Sequence, residues 1–502
     1  MKRAVIFFTK VPEEGTTKTR LQNFLTKAEI VALHSKLIKQ TYDLVKFVGA
    51  DTFVFASPSS SFFILRNIIE NPNQVICQQD QKNDLGVKMY RAFEEVFEQG
   101  YDQIVLIGSD LVYLTLDHFE SAFEALFSKD VVIAPTTDGG YGLIGLRKLI
   151  KPALLNIQYS CPTVVDQLSR QLNQHHFTLC KLPMIKDIDL RDDIVAYELD
   201  DPSAKFYAQG EYNSNFIVDQ GTKLFRYALG SQMHLDHQIE YEYLTLKALE
   251  PSGVTPKVYR LEKKPKLLGK AYLIEEFLPG QALDYRKDLK TAAFILSRIH
   301  KMDTEKFPHL LKAQKPLMTM LTECQEMFQV YRDWQGKNTQ VESLIQDLFI
   351  RVQKINLNRP LKKPCVINTE LNSGNFLING DDIKQAYLVD WEKPLIGEKE
   401  QDIGHFLAPT TTLWKTDVQL SLEEIDVFIA DYNGFSQSNL IDNTLLTQYL
   451  CMNILRGLTW SCMAYCEYSM ADKTAMHEDT FDKISMYLKP SFIKSMQVYF
   501  PK

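Results

Sequence analysis

The chain has 502 residues, of which 45% are hydrophobic and 24% charged, and carries a formal net charge of −7. This is ordinary globular composition, long enough for about two to four domains. With no basic excess to hold a phosphate backbone, nucleic acid is not an expected partner, and small-molecule substrates are.

The N-terminal run Ala4–Thr9 is too short for a signal peptide and is broken by Lys10, so it is expected to be a buried first strand. No apolar stretch approaches the roughly 18 residues of a membrane span. The eight cysteines form no C-x-x-C pair, and Cys462 and Cys466 are spaced as core positions of a helix. They are read as reduced thiols of a cytoplasmic protein. Ala4–Thr9, Thr52–Ala56, Ile104–Ile107 and Val131–Ala134 are strand-like, and Lys27–Val45 and Gly86–Phe97 carry helix-spaced apolar positions. Alternating strands and helices predict an α/β domain over 1–200: a doubly wound, mostly parallel sheet with ligands at the strands' carboxyl ends.

Four elements of that domain carry chemistry. The loop from Lys10 holds Gly15, Lys18 and Arg20. It reads as an anion cradle at a helix start, without Walker A spacing, or as a solvated helix start with surface cations. Gly108-Ser109-Asp110 ends an apolar strand and delivers a carboxylate suited to Mg²⁺, or caps a helix. Asp138-Gly139-Gly140 permits close backbone approach to a ligand, or makes a tight hairpin turn. Asp187 and Asp189 are candidates for a second metal carboxylate.

Taken in order, Gly15-x-x-Lys18-Thr19-Arg20-Leu21, Asp84-Leu85-Gly86-x-x-Met89, Gly108-Ser109-Asp110 and Asp138-Gly139-Gly140-Tyr141 resemble a bacterial GT-A-fold family. This is the DUF2064 family of glycosyltransferase- or nucleotidyltransferase-like proteins, and the resemblance covers roughly residues 1–195. The first motif is also similar to that of guanylyltransferases that activate phospholactate. The resemblance implies that Lys18 and Arg20 hold the phosphates of an NTP or nucleotide sugar. It also implies that Asp110, with Asp187 or Asp189, holds Mg²⁺. Leu111-Val112-Tyr113 stands where a Cys-Pro turn is common in that family.

Residues 201–212 are turn-rich and read as a linker to a second domain over 213–502. Strands are expected at Asn215–Val218, Lys223–Tyr227 and Ala271–Phe277, and a helix at His237–Leu249. Helices dominate from Asp288 onward. Glu370, Asn375 five positions later, and Asp390 at the end of an apolar strand have the spacing of a kinase-type site. Such a site needs a carboxylate near the acceptor hydroxyl, and an amide and a carboxylate for Mg²⁺ on ATP.

Phe225-Arg226-Tyr227, Tyr272–Phe277 with Gly280, Arg298-Ile299-His300, Glu370–Asn375, Asp390-Trp391-Glu392 and Asp402 resemble the choline kinase and aminoglycoside phosphotransferase family. The resemblance implies a bilobal, kinase-like α+β domain. It makes Arg226 the nucleotide-phosphate cation, with Glu242 or Glu240 as its partner, and Glu275 to Phe277 the adenine-reading hinge. Asn375 and Asp390 become Mg²⁺ ligands, and Asp402 the support of the catalytic loop. Two positions depart from the pattern: Glu370 stands for Asp and Asn368 for His. Trp391 and Trp460 are candidate walls of an acceptor pocket, or core aromatics.

The expectation is a bifunctional transferase. The first domain transfers a nucleotidyl group to a small phosphorylated substrate, and the second phosphorylates a small alcohol with ATP. Two alternatives stay open: a nucleotide-sugar glycosyltransferase in the first half, and a nucleotide-binding regulatory pseudokinase in the second.

Overall fold

The computed structural model describes residues 1–69, 74–77, 84–470 and 478–502; the side chain of Cys77 lies outside what is described. The chain forms two compact units. One comprises Met1–Gly210, Ser214–Gly221 and Glu262–Ala271, the other Glu211–Asn213, Thr222–Leu261 and Tyr272–Lys502.

The first unit carries strands β1 (Arg3–Lys10), β2 (Asp51–Ser57), β3 (Gln74–Cys77), β4 (Gln103–Ile107), β5 (Leu111–Val112), β6 (Val131–Pro135), β7 (Tyr141–Leu146), β8 (Leu179–Lys181) and β9 (Lys186–Asp187). Its helices are α1 (Lys27–Val45), α2 (Leu85–Glu98), α3 (Leu116–Ala125), α4 (Val164–Gln174) and α5 (Arg191–Leu199). Seven strands form one sheet in the order β3-β2-β1-β4-β7-β6-β8. The pairs of β1 with β2 and β4, β2 with β3, and β6 with β8 are parallel; β7 runs against both its neighbours. The mostly parallel sheet is therefore present, with one reversed strand inside it.

Ala4, Val5, Ile6 and Phe7 are all 0% exposed because both sheet faces are covered, which is why this strand is a continuous apolar run. Ala4 and Ile6 join the core under α2 and α4. Val5 and Phe7 join the opposite core under α1 and α3, as the two-residue period of a strand requires. Helix α1 starts with a capping box in which the Thr26 side chain accepts the Glu29 N–H and Glu29 reaches back to the Thr26 N–H. In the 201–212 segment, expected as a linker, β10 (Lys205–Gln209) pairs antiparallel with β11 (Asn213–Val218). Glu198 on α5 is buried and accepts the N–H groups of Lys266 (2.7 Å), Leu267 (2.5 Å) and Leu268 (2.8 Å), which fixes the 262–271 segment in this unit.

The second unit opens with β12 (Lys223–Ala228), α6 (Gln238–Leu249), β13 (Val258–Glu262) and β14 (Tyr272–Glu276), with β12 antiparallel to β14. Helices α7 (Leu289–Ile299), α8 (Pro316–Asp333) and α9 (Thr339–Val352) follow the short β15 (Gln281–Ala282). Then come β16 (Cys365–Ile367), β17 (Phe376–Ile378), β18 (Ala386–Leu388) and β19 (Leu395–Gly397). The unit closes with α10 (Lys399–Leu407), α11 (Pro409–Lys415), α12 (Leu422–Ser436), α13 (Asn443–Met470), α14 (Glu478–Tyr487) and α15 (Pro490–Met496). Strands β17 and β18 form a hairpin that follows the Glu370–Asn375 stretch, and β16 pairs with β19. A small β-rich part followed by a helical part is the kinase-like order.

Cys462 and Cys466 are 0% exposed on α13, as their spacing predicts. Among the described residues no helix is long and apolar enough to cross a membrane.

Candidate active sites

In the first unit an open cleft of about 430 Å³ lies at the carboxyl ends of β1, β2 and β4, where a doubly wound sheet presents its ligands. Lys10, Lys18, Arg20 and Lys88 line it, opposite Asp110 and Asp189. Gly15 supplies the positive φ (78°) that turns the loop. Lys18 itself sits in the left-handed region (φ 45°, ψ 43°), a cost for a residue with a Cβ and one concentrated at functional sites.

The Lys18 ammonium is held by an ion pair with Asp110 Oδ2 and another, at 3.0 Å, with Asp189 Oδ1. Arg20 Nη1 reaches Asp189 Oδ2 at 3.2 Å. Burial alone would lower the Lys18 pKa, but the charges of Asp110 and Asp189 raise it above its ordinary value.

A two-residue ladder brings these acids together. Strand β5 pairs antiparallel with β9, placing Leu111 opposite Asp187, and the Ile188 N–H donates to the Asp110 carbonyl at 3.2 Å. Burial, then the charges of Asp110 and Asp189, push the Asp187 carboxyl up to about 6. Asp138 lies near enough to contribute to that shift.

Asp138-Gly139-Gly140 forms the hairpin turn between β6 and β7. Asp138 Oδ1 accepts from Thr136 Oγ1 (2.5 Å) and the Gly140 N–H (3.0 Å). Gly139 has φ 86°, and a Cβ there would meet the Pro162 carbonyl oxygen at 2.0 Å, so packing alone accounts for this glycine.

Sequence reasoning did not single out His34, Thr17 or Lys88. His34, buried on α1, shares a 2.5 Å hydrogen bond with Thr17 Oγ1 and lines the cleft beside Lys18. Burial, then the Lys18 charge, hold it neutral with a pKa of about 4. Lys88 was within reach of the sequence, two positions past Gly86 in the first turn of α2. His34 has no sequence signal beyond an apolar helix face.

In the second unit the centre is Arg226 on β12, with a side chain only 8% exposed. Its Nε donates to Glu242 Oε2 (2.8 Å), and its Nη2 to Asp390 Oδ1 (2.9 Å) and Glu392 Oε1 (2.8 Å). Of the two expected partners, Glu242 therefore makes this ion pair. Burial would lower the Arg226 pKa, but these carboxylates hold it well above its ordinary value. Burial and Asp390 push Glu392 up to about 7 against the pull of Arg226. Burial does the same to Glu275, also to about 7, again opposed by Arg226.

At the expected hinge, Glu275 is in β14, the Glu276 N–H bonds the Lys257 carbonyl (2.8 Å), and the Phe277 N–H bonds the Thr222 carbonyl (3.1 Å). An adenine edge would thus meet carbonyls here, or N–H groups beyond Phe277.

Asp402 braces the stretch that leads into Glu370–Asn375. Asp402 accepts the N–H groups of Asn368 (2.9 Å) and Thr369 (2.8 Å), and its Oδ2 lies 3.3 Å from His300 Nε2. Asn368 replaces a histidine and uses both ends of its amide, donating to the Asp390 carbonyl (2.8 Å) and accepting the Glu370 N–H (3.1 Å). Asn375 Nδ2 donates to the Glu370 carbonyl at 3.0 Å, which orients the amide oxygen as the atom that could meet a cation. Thr369 (φ 72°) and Asp390 (φ 63°) are both left-handed, the strain expected where a loop is shaped for function.

Among the described residues no three His, Cys, Asp or Glu side chains converge as a metal cage. One carboxylate with one amide oxygen instead fits Mg²⁺, which takes few protein ligands and completes its shell with phosphates and water. Trp391 is 2% exposed and donates to the Leu388 carbonyl (3.1 Å), so it is a core residue. Trp460 is 36% exposed and packs edge-on against Trp414.

Residues 41–161 match the family described as an uncharacterized protein conserved in bacteria (DUF2064), and residues 203–435 match the phosphotransferase enzyme family. No curated protein matches the chain. Among solved structures, a candidate nucleotide-diphospho-sugar transferase from Desulfovibrio desulfuricans G20 is 26% identical. It covers 39% of this chain and 87% of its own, with a TM-score of 0.37. Choline kinase from Cryptosporidium parvum Iowa II is 14% identical over 62% of this chain and 97% of its own (TM-score 0.44). A candidate aminoglycoside phosphotransferase from Ralstonia eutropha JMP134 is 12% identical over 60% and 93% (TM-score 0.46). The matches support an enzyme with transferase activity, with the phosphotransferase-family match lying over residues 203–435 and the DUF2064 match over residues 41–161.

Proposed function

We propose, from the phosphotransferase match over residues 203–435, that the second unit phosphorylates a small alcohol with ATP and the first transfers a nucleotidyl group to a small phosphorylated substrate. One observation supports the reading: Arg226 bonds Glu242 and Asp390, and Asn375 bonds the Glu370 carbonyl, an arrangement suited to a nucleotide-phosphate cation with its buried acid, two metal ligands and an acceptor carboxylate. Arg226 binds phosphate oxygens, and Asn375 and Asp390 hold Mg²⁺, which when bound neutralises charge on the phosphates. Glu370 orients the acceptor hydroxyl and takes its proton as the oxygen–phosphorus bond forms and the bond to ADP breaks.

In the first unit Lys18, Arg20, Lys10 and Lys88 bind the phosphates of an NTP, and Asp110 with Asp187 or Asp189 holds the metal. The acceptor phosphoester attacks the α-phosphorus and pyrophosphate leaves. The cationic cleft supports a nucleoside-phosphate ligand of this kind. One alternative has its own support. The ion pair between Arg226 and the metal ligand Asp390, with Glu370 in place of aspartate, favours a nucleotide-binding pseudokinase.

The test is to incubate the full chain with Mg²⁺, each NTP and a panel of small alcohols and phosphoesters, and to follow products by mass. ADP with a phosphorylated alcohol is expected, and pyrophosphate with a nucleoside-diphosphate-linked product. Nucleoside diphosphate released from nucleotide sugars would replace the nucleotidyl reading with glycosyl transfer. ATP binding without ADP formation would establish the pseudokinase.

A further inference from the structure

The glutamate at position 370 has a partner that explains its length. Lys393 Nζ lies 3.1 Å from Glu370 Oε1, with the lysine side chain only 15% exposed. The backbone segments that carry the two residues are tied together before the side chains meet. Asn368 Nδ2 donates to the Asp390 carbonyl (2.8 Å), and Thr369 Oγ1 donates to the Lys393 carbonyl (2.8 Å). The Gln232 side-chain amide lies 3.2 Å from Glu370 Oε1 and 3.3 Å from Lys393 Nζ, closing the group from another side. An aspartate at 370 would end about one carbon–carbon bond, ~1.5 Å, short of the lysine. Added to the present 3.1 Å, that shortfall puts the pair beyond hydrogen-bond reach.

We infer that Lys393 is a positioning residue for phosphoryl transfer, fixing the longer Glu370 carboxylate where it meets the acceptor hydroxyl, so that the two side chains act as one unit. The inference rests on the kinase reading of the second unit. In the step, the acceptor oxygen (alcohol or water) bonds to the γ-phosphorus and the bond from phosphorus to the ADP oxygen breaks. The acceptor proton passes to Glu370 and then to solvent. Lys393 makes and breaks no covalent bond. A carboxylate free to swing is misplaced by about an ångström, a displacement able to cost ~10²-fold in rate.

The test uses the full chain with Mg²⁺·ATP, and water or the alcohol panel as acceptor. ADP release, equilibrium ATP affinity and thermal midpoint are measured for K393M, K393R, E370D and the K393M/E370D double variant. K393M should lower kcat by ~10²-fold while KM for ATP, ATP affinity and thermal midpoint hold. K393R should recover most of the loss. E370D should also be slower than wild type, and the double variant no slower than the worse single, because the pair acts as a unit.

A K393M enzyme at wild-type kcat, an E370D enzyme faster than wild type, or a K393M loss that appears in affinity and thermal midpoint would each overturn the inference. Wild-type protein that forms no ADP with any acceptor would remove the kinase reading and this inference together. Wild-type ADP formation with K393M unchanged would remove this inference alone.

Discussion

In the first unit the buried ammonium of Lys18 is shared by Asp110 and Asp189, and the cleft around it adds Lys10, Arg20 and Lys88. In the second unit the buried guanidinium of Arg226 bonds Glu242, Asp390 and Glu392, with Glu275 close behind. Both sites place a cation among acids, but the balance runs in opposite directions. The lining of the first cleft carries more cations than carboxylates and favours an anion such as a nucleotide. Around Arg226 the carboxylates outnumber the cation. The burial cost of ionising them is visible in Glu275 and Glu392, both pushed up to about 7. That balance suits an added cation, which the phosphotransfer proposed for this unit would take as Mg²⁺.

The sharpest way to break this contrast is Arg226→Met. It leaves Glu242, Asp390 and Glu392 facing one another without their counter-charge. Removing one partner from a buried ion cluster costs about 3–5 kcal/mol. Urea unfolding should show that loss, and ADP formation should fall to background. A variant that stays as stable as wild type would mean that the carboxylates already carry protons and that the acid excess is only nominal.

Lys18→Met tests the opposite balance. Charge-assisted hydrogen bonds contribute about 1.5–3 kcal/mol each, so NTP affinity of the first unit should fall by roughly 10- to 150-fold. Calorimetric titration of the full chain, with the ATP site saturated by an unhydrolysable analogue, would read it. Unchanged affinity would assign Lys18 to holding Asp110 and Asp189 and nothing more. A smaller effect is expected from Gly86→Ala. A Cβ there would meet the Leu154 carbonyl oxygen at 2.1 Å, so the start of α2, which carries the cleft residues Leu85 and Lys88, must shift. Overpacking of this kind costs about 1–3 kcal/mol. Thermal unfolding should register it, with some loss of NTP affinity as Lys88 moves.

The sequence made the contrast partly legible. Helix α1 covers Lys27–Val45 as its periodicity predicts, because an uninterrupted apolar face follows a Thr-x-x-Glu capping box. The phosphotransferase resemblance implies Glu242 or Glu240 as the partner of Arg226, and Glu242 makes the ion pair. The rest depends on long-range geometry that periodicity does not encode. Asp187 reaches Asp110 through a ladder of two-residue strands separated by more than seventy positions, too short to read as strands at all. Glu392 closes a recognised motif and Lys393 follows it, yet that Glu392 meets Arg226 and Lys393 meets Glu370 is set by the backbone around the left-handed Asp390. Asp138-Gly139-Gly140 shows the converse: a suggestive motif whose glycine at 139 is already required by the Pro162 carbonyl.

The smallest effect expected tests the acid excess most directly. Glu275 is buried in the second unit with its carboxyl pushed up to about 7 from an ordinary value of 4.5. A raised carboxyl pKa means that the folded state binds a proton the unfolded chain has released. Between roughly pH 4.5 and 7, stability therefore falls as pH rises, and above 7 the full penalty of ionising Glu275 is present. Glutamine has the shape of the protonated form and carries no such penalty. Glu275→Gln should thus leave the thermal midpoint unchanged near pH 5. Near pH 8 it should raise the midpoint by about 2–4 °C, the scale of ~1 kcal/mol in a domain of a few hundred residues. Destabilisation at pH 8 would show instead that Glu275 is an ionised partner that Arg226 needs. The second site would then be balanced by its own cation, and the case for an added metal would rest on Asn375 and Asp390 alone.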